Sequence, residues 1–116
     1  MEGSSNDFRF EGLFWTISYR GKTIHLLDSK GAGYLARLLR EPGRAFHVLE
    51  LAGGESGATP ASGTVERARK AVSNRIRATV GAIAADHPDL GRHLAGAIHT
   101  GAYCRYLPAE SVRWEG

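Results

Sequence analysis

The chain has 116 residues, 42% of them hydrophobic, with a formal charge of +3 and an isoelectric point near 9.4. That length supports one domain with one modest core and argues against a second. A single cysteine, Cys104, rules out an internal disulfide and a thiolate cluster for a metal.

The charge is unevenly spread. Residues 1–30 carry four positive and four negative side chains, and 31–60 carry three of each. Residues 61–116 carry eight positive and five negative, so the whole excess lies in the C-terminal half. A basic bias of this kind favours a polyanionic partner. The N-terminus MEGSSNDF lacks a basic n-region and an apolar h-region, and no apolar run has the length of a membrane span. A soluble, cytoplasmic protein with no membrane association is expected. Residues 1–7 read as a disordered, polar lead-in to a single domain over 8–116.

From Phe8 to Leu27 the chain is rich in aromatic and β-branched residues, and WTISYRGKTIHLL reads as a β-hairpin turning at Arg20-Gly21. Ile17 and Tyr19 would share one face, as would Ile24 and Leu26. The aromatics could form a ligand platform, but core filling is the simpler use for them in so small a domain. Asp28 or Ser29 can cap a first helix over about Lys30–Arg40, with Tyr34, Leu35, Leu38 and Leu39 as its apolar stripe and Pro42-Gly43 as its stop. AFHVLELA, over 45–52, is too short for periodicity to separate strand from helix. The glycine-rich stretch 53–63 reads as a flexible connector. None of these glycines sits in a P-loop or a dinucleotide fingerprint.

Thr64–His87 is the longest helical pattern. Ala68, Val72, Ile76, Thr79 and Ile83 recur at spacings of three and four, as a buried stripe requires. Arg67, Lys70, Asn74 and Arg77 fall on the opposite side, and five cationic side chains face one anionic between Ser62 and Val80. Such a helix suits a DNA groove, and a solvated surface helix is the plainer alternative. Thr64 is the expected cap and Pro88 the expected end. A short helix over Asp89–Ile98 follows. Ala102–Leu107 reads as a strand that turns at Pro108–Ser111 and returns over Val112–Trp114.

YRGKTIHLLDSKGAGYLARLLREPGRAFHVLEL, then VERARKAVSNRIRATVGAI, then IHTGAYCRYLP resembles a winged helix-turn-helix domain of the response-regulator effector type. FEGLFWTISYRGKTIHLLDSKG and HPDLGRHLAGAIHTGAYCRYLP look more closely like the winged-helix-like C-terminal regions of actinobacterial multidomain regulators and ATPase-like proteins. The resemblance covers most of 8–114. It implies an α+β winged helix-turn-helix, with an N-terminal β-hairpin and a C-terminal wing hairpin, that binds double-stranded DNA and regulates transcription. The glycine-rich connector and the extra helix at 89–98 depart from that pattern.

On this reading Asn74 could contact adenine with two hydrogen bonds, and Arg67, Lys70 and Arg77 could reach guanine edges or phosphates. Arg69 and Arg75 lie on the flanks, where they could grip the backbone, and Arg105 is a candidate wing contact. RNA polymerase or a regulatory protein is a candidate further partner, and a homodimer a candidate assembly. The alternative function is a protein-interaction module on the same scaffold, meeting an acidic partner. No cofactor is expected. His25, His47, His87, His93 and His99 lack zinc-site spacing, with His93 and His99 six apart on different helix faces. No activating partner marks Cys104 as a nucleophile, and Glu110 and Glu115 do not form a persuasive acid pair, so catalysis is not expected.

Overall fold

The computed structural model describes residues 6–53, 62–108 and 114–115. The fold is α+β. Its N-terminal part is a sheet of β1 (Asn6–Phe10), β2 (Phe14–Tyr19) and β3 (Lys22–Leu27), all antiparallel. The two-residue turn Arg20-Gly21 joins β2 to β3 with positive φ at both positions, 51° and 83°. That is the turn whose twist matches a hairpin. Ile17 pairs with Ile24, and Trp15, Ile17, Tyr19 and Ile24 all point into the core. The expected hairpin is therefore present, as the centre of a larger sheet. Asn6 and Asp7, expected in the lead-in, are strand residues. The rest of the lead-in, 1–5, lies outside the described residues.

Helix α1 (Lys30–Arg40) begins at Ser29, whose Oγ accepts the Ala32 N–H at 3.2 Å. Asp28, the other candidate cap, instead accepts the Trp15 indole N–H at 2.9 Å. The ambiguous stretch after it is both structures in turn. Phe46–His47 form β4, and Val48–Gly53 form the short helix α2. The connector expected over 53–63 lies outside the described residues except at its ends, where Gly53 closes α2 and Ser62 and Gly63 open α3.

Helix α3 (Ser62–Asp86) spans 25 residues, so Thr64 lies within it and is not its cap. Val72, Ile76, Thr79 and Ile83 are buried and Ala68 is half-buried, as the stripe requires. The Thr79 hydroxyl is satisfied by the Arg75 carbonyl at 2.8 Å. At His87 the chain leaves helical geometry, and α4 (Pro88–Ala97) starts with proline in its first turn. His87 is 4% exposed. Its Nδ1 accepts the Leu90 N–H at 3.3 Å, so its Nε2 carries the proton and donates to the Tyr19 carbonyl at 2.9 Å. This one imidazole ties the α3–α4 corner to the end of β2.

Two glycines set the helix packing. A methyl group at Gly31 would sit 2.5 Å from the Arg75 carbonyl oxygen and closer still to the Thr79 hydroxyl. One at Gly91 would sit 2.7 Å from the Ala84 Cα. Glycine lets α1 and α4 each lie against the backbone of α3.

After α4 come β5 (Ile98–His99) and β6 (Tyr103–Tyr106), which pair antiparallel. The other side of β6 takes β4, giving a small sheet ordered β4-β6-β5. This corrects the expected C-terminal hairpin, in which 102–107 would pair with a strand returning at 112–114. β4 pairs with Tyr103 and Cys104 on one edge of β6 and β5 with Arg105 and Tyr106 on the other, while 109–113, which hold most of the expected turn and returning strand, lie outside the described residues. Trp114–Glu115 (β7) instead pair parallel with Asn6 and Asp7 of β1, completing a four-stranded sheet ordered β3-β2-β1-β7. Trp114 stacks on Tyr19 at 5.7 Å and lies edge-on to Phe8 at 6.3 Å.

Candidate nucleic-acid interface

Helix α3 repeats about every 100° per residue, so the direction of each side chain follows from the buried stripe. Arg67, Lys70, Asn74 and Arg77 point directly away from Val72, Ile76, Thr79 and Ile83, and all four are exposed. They span about 15 Å along the helix axis. None of the three cations takes part in an ion pair among the described residues. Several other arginines are engaged. Arg37 and Arg44 bind Glu50, Arg44 also binds Glu41 at 3.0 Å, and both lie over the Phe46 ring. Arg9 pairs with Asp7, and Arg92 with Asp89.

Arg69 and Arg75 stand apart from the exposed arc, on opposite flanks. Arg69 is bonded through both Nε and Nη2 to Glu66 on the preceding turn. That hydrogen bond holds the Glu66 carboxyl below its ordinary 4.5 and raises the guanidinium. Arg75 turns toward β3 and the start of α1, where it lines an open groove with His25, Lys30 and Asp86. No ion pair joins Arg75 or Arg77 to Asp86 among the described residues.

Arg77 borders a different groove of about 250 Å³ between α3, α4 and β5, shared with Ser73, Ala95, Ile98 and Thr100. Thr100 opens the turn between β5 and β6, so the arc of α3 approaches the small hairpin at this point. In β6, Cys104 and Tyr106 are fully buried, while Tyr103 and the half-buried Arg105 alternate outward. Arg105 pairs across the sheet with His99, and Tyr103 with His47, whose rings meet edge-to-face at 5.1 Å. Arg105 is therefore grouped with Tyr103 and two histidines, and not with Tyr106. Sequence pattern does not single out Ser73 and Thr100, and it raises His99 only as a zinc ligand, because their place here depends on β5 pairing with β6.

Comparison with protein-family models, with curated proteins and with solved structures finds no match for this chain.

Behind that surface lies a hydrogen-bonded chain. The Trp114 indole N–H donates to the Tyr106 hydroxyl at 3.1 Å, which leaves the hydroxyl proton for His93 Nε2 at 2.6 Å. Burial pushes the Tyr106 hydroxyl above its ordinary 10.0 and keeps it a donor. Burial, with a smaller contribution from the Arg20 charge, lowers His93 below its ordinary 6.5 and keeps it an acceptor. His93 also stacks on Tyr19 at 5.3 Å. Among the described residues no group of three or more His, Cys, Asp or Glu side chains is placed to share a metal ion, and no helix is long and apolar enough to cross a membrane.

Proposed function

We infer that the chain is a winged-helix domain that binds double-stranded DNA sequence-specifically and regulates transcription. The observation that carries this reading is the exposed arc of α3. It bears Arg67, Lys70, Asn74 and Arg77, which have no ion-pair partner among the described residues, directly opposite the buried stripe. A major groove about 12 Å wide admits a helix presented this way. The element order also supports the reading: α1, β4, α2 and α3 precede a hairpin whose second strand pairs with β4. Helix α4, between α3 and the hairpin, departs from the winged-helix pattern.

In this role Asn74 reads adenine, and Arg67, Lys70 and Arg77 supply guanine or phosphate contacts. Arg105, with Tyr103 and His99, meets the backbone beside the groove. Arg69 acts through its pairing with Glu66, and Arg75 has a place on the far flank. Selection from a pool of random duplexes at low salt tests the whole reading. A folded sample is expected to enrich one motif, with affinity falling steeply as salt rises. If it retains no duplex at low salt, the proposal fails.

A further inference from the structure

We propose that the outer edge of β3 is a docking strand for an extended segment of a partner protein, one that carries acidic residues at its end. It uses the flank of α3 that carries Arg75, away from the exposed arc of Arg67, Lys70, Asn74 and Arg77.

Strand β3 lies at the edge of the four-stranded sheet, runs for six residues and contains no proline. Its two-residue turn makes Tyr19 and Lys22 a hydrogen-bonded pair, after which bonded and unbonded pairs alternate. The hydroxyls of Ser18 and Thr23, 2.7 Å apart, mark the unbonded positions. Lys22, Ile24 and Leu26 therefore bond to β2, while the backbone N–H and C=O of Thr23, His25 and Leu27 point outward. Among the described residues no strand takes them. Leu27, at the end of this edge, is 80% exposed.

Beside the second half of this edge, and on to the start of α1, lies an open groove of about 540 Å³. His25, Leu26 and Leu27 all line it. Successive strand residues point to opposite faces, so three in a row lining one groove place it at the strand's edge, and Asp28, Ser29, Lys30 and Gly31 carry it on to the start of α1. Its far wall is one side of α3, from Arg75 through Ala78, Thr79 and Ala82 to Asp86. That wall is about 16 Å long. An extended segment of about five residues has the same length. Ala78 and Ala82 leave room for the side chains of an added strand.

The charges give the segment its chemistry. Lys30 and Arg75 stand at the end where β3 runs into α1, and neither is in an ion pair among the described residues. Asp86 stands at the other end, next to His87, whose imidazole holds the carbonyl of Tyr19. A second copy of this chain fits poorly. Antiparallel pairing of β3 with itself would bring Lys22 of the copy toward Lys30 and Arg75, and β3 contains no acidic residue. A segment apolar along its length and acidic at the end over Lys30 and Arg75 complements the groove.

The probe is a labelled peptide of about eight residues, alternating valine and threonine and ending in aspartates. Anisotropy is expected to show binding, and lysines in place of the aspartates to weaken it by about tenfold. Hydrogen exchange should slow at the amides of Thr23, His25 and Leu27, and not at those of Ile24 and Leu26, which β2 already holds. Arg75→Glu should weaken the peptide by about tenfold. His25→Pro removes one outward N–H while sparing the β2 ladder, and should abolish binding with the circular dichroism unchanged. The proposal is overturned by no peptide binding to the folded protein, or by equal binding of the lysine peptide. It is also overturned if the outward amides are protected without peptide and the chain sediments as a dimer, since a second copy would then be the occupant.

Discussion

Asn74 and Lys70 are neighbours on the exposed arc of α3, yet they should fail differently. An asparagine that reads adenine discriminates between bases, whereas a lysine on a phosphate does not. Asn74→Ala should cost about 1–3 kcal/mol on the selected motif and little on random duplex. Lys70→Ala, if it removes a phosphate contact, should weaken all duplexes alike and lower the salt slope by about 1. Titrating both variants against both duplexes at several salt concentrations separates the two roles. A second residue-scale expectation concerns His93. Its proton affinity in the folded chain lies below the ordinary 6.5, so the unfolded chain binds more protons in the interval between the two values. Stability from the neutral imidazole is complete above 6.5 and is lost as pH falls through the folded value. Melting temperature should drop across that interval in the parent protein, and His93→Gln should flatten the drop.

At the scale of elements, the placement of α3 depends on two glycines as well as on its own buried stripe. Gly31→Ala and Gly91→Ala each put a methyl group into the backbone of α3 or its side chains. Each should destabilise by roughly 1–3 kcal/mol, outweighing the modest gain in helix propensity. Urea denaturation measures this, and Gly33→Ala, where nothing lies within 4 Å of the added methyl, is the control that should not lose stability. These close approaches leave no local signature, since a glycine in a helix reads only as a weak position. What was legible was what local pattern encodes: the β2–β3 hairpin at Arg20-Gly21, the stripe of α3 and the arc opposite it. AFHVLELA could not be resolved because it changes from strand to helix at Val48, within one apolar run. Arg75 was read as a flank residue, and its approach to the β3 edge is invisible without the fold.

At the scale of the whole molecule, the chain's two sheets are joined by one aromatic assembly. Trp114, Tyr19 and His93 stack, and Tyr106 bonds to both Trp114 and His93. Tyr19 belongs to the first sheet and Tyr106 to the second, and Trp114 reaches both from β7. This long-range closure was misread from sequence, because nothing local to Trp114 says which strand it will meet. Trp114→Ala should cost roughly 2 kcal/mol or more, removing the indole's apolar area, its ring contacts and the hydrogen bond to Tyr106. Tyr106→Phe, which keeps the packing, should cost about 1 kcal/mol. Equal losses in the two variants would show that the stacking matters less than the hydroxyl.

The parallel pairing of β1 with β7 has a mechanical consequence. Asn6 opens β1 and Glu115 closes β7, and the strands run in the same direction. Tension that draws these two residues apart therefore acts along both strands. Their cross-links lie across the line of force and share the load, instead of peeling away one after another as they would in a hairpin pulled at its open end. A pair of strands this short is nevertheless a weak latch. In a single-molecule pulling experiment β7 should slide off first, taking Trp114 out of the aromatic stack before the helices give way.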